Sequence, residues 1–270
     1  MASGKDMEIG HTADACTSDV EPAEVTVDGK SVIIYDTPGF DDTEGRDAEI
    51  FMKISKYLAS SYNTDSLLNG VIFMQQITEV RVPASERNRT RLFKEIVGAE
   101  NYKQVAIVST MWNQVNEDFG ERNEKNRVAD ESVWGDMMGR GAQVLRFQND
   151  AESALDIVRH FLDSRAFPHA TMKLQKELFL HNGQLNRTSA CQELERILGA
   201  KLKELEIQIE LVGETDGLRA AVEKLKGWLS RLKAVILLTS LKLDCSFETM
   251  LNIARISLMV YNDVESCQTM

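Results

Sequence analysis

Cysteine is scarce and scattered in this chain. Cys16, Cys191, Cys245 and Cys267 show no Cys-x-x-Cys spacing, so neither a disulfide framework nor a cysteine zinc site is expected. The histidines add no ligand set: His11, His160, His169 and His181 share no metal-ligand spacing. Long apolar runs are missing too. The longest strongly apolar stretch, Ala234 to Leu238, is far below the roughly 18 residues of a membrane-spanning helix. The opening residues Met1 to Asp6 lack the apolar segment of a signal peptide. Together these absences predict a cytoplasmic chain with no transmembrane segment. Cations are also in deficit: 31 Lys and Arg face 42 Asp and Glu, a net charge of -11. That balance opposes nucleic-acid binding, which needs clustered cations at phosphates. A single nucleotide stays within reach, because backbone N–H groups can cradle phosphate in an acidic protein.

What is present is enough for one full core. A length of 270 residues fits a domain of about 150–200 residues plus an extension. Val20 to Val27 alternates apolar and polar residues, Asp28-Gly29 signals a hairpin, and Ser31 to Tyr35 is a β-branched run. Glu44 to Ser60 has helical spacing, with Ile50, Phe51, Ile54, Tyr57 and Leu58 on one face. Gly70 to Met74 and Gln104 to Thr110 are continuous apolar strands, separated by a helix from about Ser85 that Gly98 ends. Asn113 to Arg140 reads as loop and helix, Val144 to Phe147 as a short strand, and Ala151 to Leu162 as a helix. Apolar strands alternating with helices predict an α/β fold: a mostly parallel sheet covered on both faces.

After Pro168 the pattern changes. Leu198, Leu202, Leu205, Ile209 and Val212 follow steps of 4, 3, 4 and 3, and Leu218, Val222, Leu225, Leu229 and Leu232 repeat them. Gly213 and Gly217 interrupt the two stretches. This spacing predicts a helical hairpin, either as a coiled coil or as two amphipathic helices packed on the domain. From Leu241 on no clear organisation is visible.

The most specific signal is Ile33-Ile34-Tyr35-Asp36-Thr37-Pro38-Gly39-Phe40-Asp41-Asp42. An Asp after an apolar strand can hold Mg²⁺ through water, since that ion prefers oxygen ligands and keeps part of its hydration. A glycine shortly after it lets a backbone N–H approach a γ-phosphate oxygen without steric hindrance, and loss of that phosphate releases the loop. The plainer alternative is a strand followed by a Pro-Gly turn with an acidic surface. Thr17, in the polar stretch before the hairpin, is placed to give a hydroxyl to the same metal, and Ser18 is next to it. Val108-Ser109-Thr110-Met111-Trp112-Asn113 ends an apolar strand, where an α/β sheet presents its ligand-binding groups.

In these segments the chain resembles the septin-like and immunity-associated branch of the P-loop GTPases, over roughly Ala2 to Asp163. The resemblance implies a guanine-nucleotide switch with GTP or GDP and Mg²⁺, and GTP hydrolysis where a phosphate loop is supplied. It implies metal ligation by Thr17 and Asp36, and nucleotide contacts from Asp36, Gly39, Thr110, Trp112 and Asn113. The resemblance makes 1–165 a G domain truncated at its front; the heptad spacing makes 166–240 a helical, coiled-coil-like extension, and 241–270 is an unassigned tail. Homodimerisation through the G domain or the helical tail is the partnership the resemblance implies. Three departures stand out. No G-x-x-x-x-G-K-[ST] occurs, so the first strand, phosphate loop and first helix would precede Met1, and Ile33-Ile34 and Ile72-Phe73 would lack the strand between them. Asn113 stands where the branch prefers Asp, and an amide cannot accept from both guanine donors. Phe40 stands where Ras-like enzymes place a water-orienting Gln, which implies slow hydrolysis. The alternative reading is a non-catalytic remnant of such a domain, assembling through its helical tail. A P-loop kinase is disfavoured, because nothing resembles an acceptor-substrate lid.

Overall fold

The β-branched and apolar runs of the first half pair into one sheet. The computed structural model describes residues 20–40, 47–63, 67–163, 165–213, 215–233 and 256–263. Its strands are β1 (Glu21–Val27), β2 (Lys30–Phe40), β3 (Gly70–Gln76), β4 (Val105–Thr110), β5 (Gln143–Arg146) and β6 (Ile256–Asp263). They lie in the order β1-β2-β6-β3-β4-β5. β1 and β2 are antiparallel, with Val27 opposite Lys30. Asp28 and Gly29 both take positive φ, 49° and 77°, the conformation that lets a two-residue turn follow the strand twist. Every other neighbouring pair is parallel. The mostly parallel α/β sheet is the one the sequence pattern predicts.

Helices α1 (Asp47–Asn63), α2 (Ala84–Val97), α3 (Glu117–Ala129), α4 (Asp136–Gly139) and α5 (Ala151–His160) follow in the same stretch of chain. Successive strand residues point to opposite faces, and the two cores divide accordingly. Val71, Phe73, Val105 and Ile107 join Phe51, Ile54, Phe93 and Ile96 from α1 and α2. Ile72, Ala106 and Val108 join Ile157, Val158 and Phe161 from around α5. Both faces are dry, which is why β3 and β4 read as unbroken apolar runs rather than alternating ones.

Beyond this lie α6 (Lys173–Leu180), α7 (Ser189–Val212) and α8 (Asp216–Lys233). Thr188 caps α7 by accepting from the Cys191 N–H. Leu194 and Leu198 of α7 enter the same core as α1 and α2, and so do Leu225 and Leu232 of α8. The near half of the hairpin is therefore packed on the sheet domain. At its far end Ile207, Leu211 and Val212 are exposed.

One expectation needs correction. The edges of β2 and β3 do not lack a partner. The C-terminal strand β6, from a stretch whose sequence shows no clear organisation, lies between them and pairs in parallel with both. Met259 and Val260 supply the apolar surface that this position demands, one to each core.

Candidate functional site

Because β2, β6, β3 and β4 are parallel, their carboxyl ends share one edge of the sheet, the edge where open α/β sheets bind ligands. β2 does not break at Asp36: it runs on through Thr37 and Gly39 to Phe40. Asp36 pairs with Val260, which is level with Ile72 and Ala106. That is four residues before Thr110, or about 13 Å along the strand direction. Phe40 pairs with Asp263 across an irregularity in the ladder, so the Gly39 end of the motif comes close to the level of Thr110. Thr37 is fully buried, and its hydroxyl donates to the Val260 carbonyl at 2.8 Å. Thr17 lies outside the described residues.

The second half of the site is built at the end of β4. The buried Thr110 hydroxyl donates to the Gln75 carbonyl at 3.4 Å. Met111 then takes a left-handed conformation, φ 65° and ψ 28°, unusual for a side chain of its size. This reversal sends Trp112 inward and leaves Asn113 exposed in a short turn. Trp112 is only 8% exposed. Its Nε1–H donates to the Ser109 carbonyl at 3.2 Å and hydroxyl at 3.1 Å. The Arg146 guanidinium lies over its ring at 4.3 Å, and a Cβ on Gly120 of α3 would come within 2.6 Å of the indole. Only glycine allows α3 so close.

Of the sequence-derived candidates, then, Thr110, Trp112 and Asn113 sit together at the end of β4, and Gly39 lies at a similar level on β2, with β6 and β3 between them. Two further groups belong to this edge. Arg146 at the end of β5 donates to Glu124 at 2.8 Å and Glu121 at 3.3 Å. Burial pushes the Glu124 carboxyl above its ordinary value although Arg146 opposes this. The loop after β5 is tied to the Thr110 strand, since the Phe147 N–H donates to the Ser109 carbonyl at 2.9 Å, and Asn149 takes φ 62°. Sequence reasoning found the strand there but gave its end no role. The signal was the Asn149-Asp150 pair, a turn and helix start directly after a strand.

Asp150 begins α5, its carboxylate accepting from the Ser153 N–H at 2.8 Å. That backbone hydrogen bond holds the carboxyl below its ordinary value. A depressed folded-state value means the cap stabilises above the ordinary carboxylate range and is lost as pH falls through the depressed one. Protection of the Ser153 amide, measured against its intrinsic exchange rate, should therefore fall in acid. In Asp150→Asn, which keeps the acceptor but cannot titrate, it should lose that extra acid sensitivity.

No family model matches the chain. It is similar to a GTP-binding protein. GTP-binding protein A of Dictyostelium discoideum is 30% identical over 107 residues, which cover 39% of this chain and 23% of that protein. The chain thus spans about a quarter of its length. Among the described residues no helix is long and apolar enough to cross a membrane.

Proposed function

We propose that this chain binds guanine nucleotide with Mg²⁺ at the carboxyl edge of its sheet. The observation that carries the reading is the shared edge itself. An Asp-Thr-Pro-Gly segment, which reaches that edge at its Gly39 end, and a Thr110-to-Asn113 turn arrive there from separate strands. The partial similarity to GTP-binding protein A supports the same reading. Asp36, itself partly buried in β2, offers the carboxylate that Mg²⁺ takes, directly or through water, with Thr17 as the second ligand. Gly39 offers its N–H to the terminal phosphate, so the chain would act as a switch. Asn113 meets the base. Trp112 supports the turn from beneath. With Phe40 following Gly39, GTP hydrolysis is slow.

Titration with fluorescent GTP in Mg²⁺ tests the reading. No glycine-rich phosphate loop occurs in the sequence, so binding weaker than low micromolar is expected, with Mg²⁺ dependence lost in Asp36→Ala. Asn113→Asp should strengthen GTP binding and its preference over ATP by about 1–3 kcal/mol, because a second acceptor then faces the guanine edge. Equal affinity for both nucleotides in wild type and variant would remove Asn113 from the site.

A second reading is favoured by Ile207, Leu211 and Val212, exposed by 56%, 80% and 69% at the far end of α7. Apolar side chains clustered at a helix end suit assembly through the hairpin. Sedimentation of the chain and of a triple Ser variant separates the readings: a shift to smaller species supports assembly.

A further inference from the structure

The central strand of this sheet comes from the far end of the chain. β1 precedes β2, β3 precedes β4 and β4 precedes β5, each next to its partner. β6 alone is inserted between strands that precede it by far in sequence, and residues 234–255 separate it from α8. Among the described residues, β2 and β3 share no ladder. Val32 to Thr37 of β2 pair with one edge of β6, and Gly70 to Phe73 of β3 pair with the other. The two halves of the candidate site therefore ride on separate parts of the sheet. Asp36 and Gly39 belong to the β1–β2 hairpin, while Thr110 and Asn113 belong to the β3–β4–β5 part. The backbone hydrogen bonds that join these parts pass through β6.

We propose that β6 is a docking strand whose seating between β2 and β3 sets the register of the two half-sites, and so regulates the site. The functional consequence rests on the nucleotide reading above. The mechanical part does not. Thr37 is the latch. Its hydroxyl donates to the Val260 carbonyl at 2.8 Å from within the Asp-Thr-Pro-Gly segment, and Thr37 is fully buried. Met259, 1% exposed, anchors the strand in the core of α1 and α2. β1–β2 and β3–β4–β5 each keep ladders of their own that do not involve β6, so the seating of β6 is separable from the pairing within either part. Reciprocity follows: a ligand that touches both half-sites must stabilise the seated strand by the factor by which seating improves its own affinity.

The test uses the full chain with two spectroscopic labels, at the exposed Thr26 of β1 and the exposed Gln143 of β5, and no nucleotide. A single narrow distance is expected in the native chain and a broad one in Met259→Asp, with the α7 amides still protected. Because Met259→Asp could unfold the domain, Thr37→Val provides the second arm. It keeps the side-chain shape and removes the donor, and should raise amide exchange across β6 about three- to tenfold while leaving α7 unchanged. A narrow label distance in a chain whose β6 amides exchange freely would overturn the proposal. So would Thr37→Val exchange identical to wild type. In a third arm, GTP with Mg²⁺ should slow β6 exchange in the native chain. If the first two arms behave as expected and this one shows no effect, the docking strand stands and the nucleotide reading falls.

Discussion

Replacing Arg127 with Ala is expected to cost about 3–5 kcal/mol of stability, because it leaves a carboxylate buried without its partner. Arg127 is fully buried, and its guanidinium donates to both oxygens of Glu86 at 2.8 and 2.9 Å. The same side chain donates to the Glu79 carbonyl at 3.1 Å, and Asn123, one turn earlier in α3, donates to the Ile77 carbonyl at 2.9 Å. Together they fix the stretch that leaves β3 at the candidate edge. Denaturant melts would show the loss as a lower midpoint. The paired change Arg127→Met with Glu86→Leu should recover most of it, since a buried ion pair is replaced by apolar groups of similar size at little net cost. If the pair is as unstable as Arg127→Ala alone, the hydrogen bond from Arg127 to the Glu79 carbonyl, rather than the stranded charge, carries the effect.

Trp112→Ala is the other large effect, about 3–5 kcal/mol, from emptying a packed indole site. Its magnitude reflects what surrounds the ring: Ser109 below, Gly120 of α3 against the benzenoid edge and Arg146 over the face. Removing the indole also frees Arg146 from its stack and loosens the turn that presents Asn113. Lost nucleotide binding in Trp112→Ala would therefore not show stacking on a base. Trp112→Phe is the cleaner variant. It keeps an aromatic face beneath Arg146 and loses the Nε1 hydrogen bonds and part of the ring volume, for about 1–3 kcal/mol. Thermal melts of both variants, read beside GTP titration, separate support of the turn from contact with ligand.

The strands and helices up to His160 were legible because local signals and tertiary demands agree. Asp28-Gly29 requires positive φ and has it, and Gly70 to Met74 is apolar because both of its faces are buried. The end of α7 at Gly213 was marked in the same way. β6 was not legible. Ile256 to Asp263 mixes Ser257, Asn262 and Asp263 with apolar residues, and nothing local says that such a run belongs in the centre of a sheet. Its place follows from two open edges distant in sequence. The site was half legible. Asp-Thr-Pro-Gly and Thr110 to Asn113 carry motif-like spacing, whereas Arg146 matters only through a fold that brings β5 beside β4. The inward turn of Trp112 was hidden for a similar reason: it depends on the left-handed Met111 and on a glycine in another helix.

The central strand being encoded after the two strands it separates has a consequence for synthesis. β2 and β3 leave the ribosome long before Ile256 does. At about 5–20 residues per second, the interval between Gln76 and Ile256 is roughly ten to forty seconds. Throughout it, the facing edges of β2 and β3 present unpaired backbone groups flanked by apolar side chains, a template for pairing with any extended chain nearby. Nascent copies crowded on one message are exposed to each other in that state, and holdase chaperones that cover strand edges fit the gap until the tail arrives.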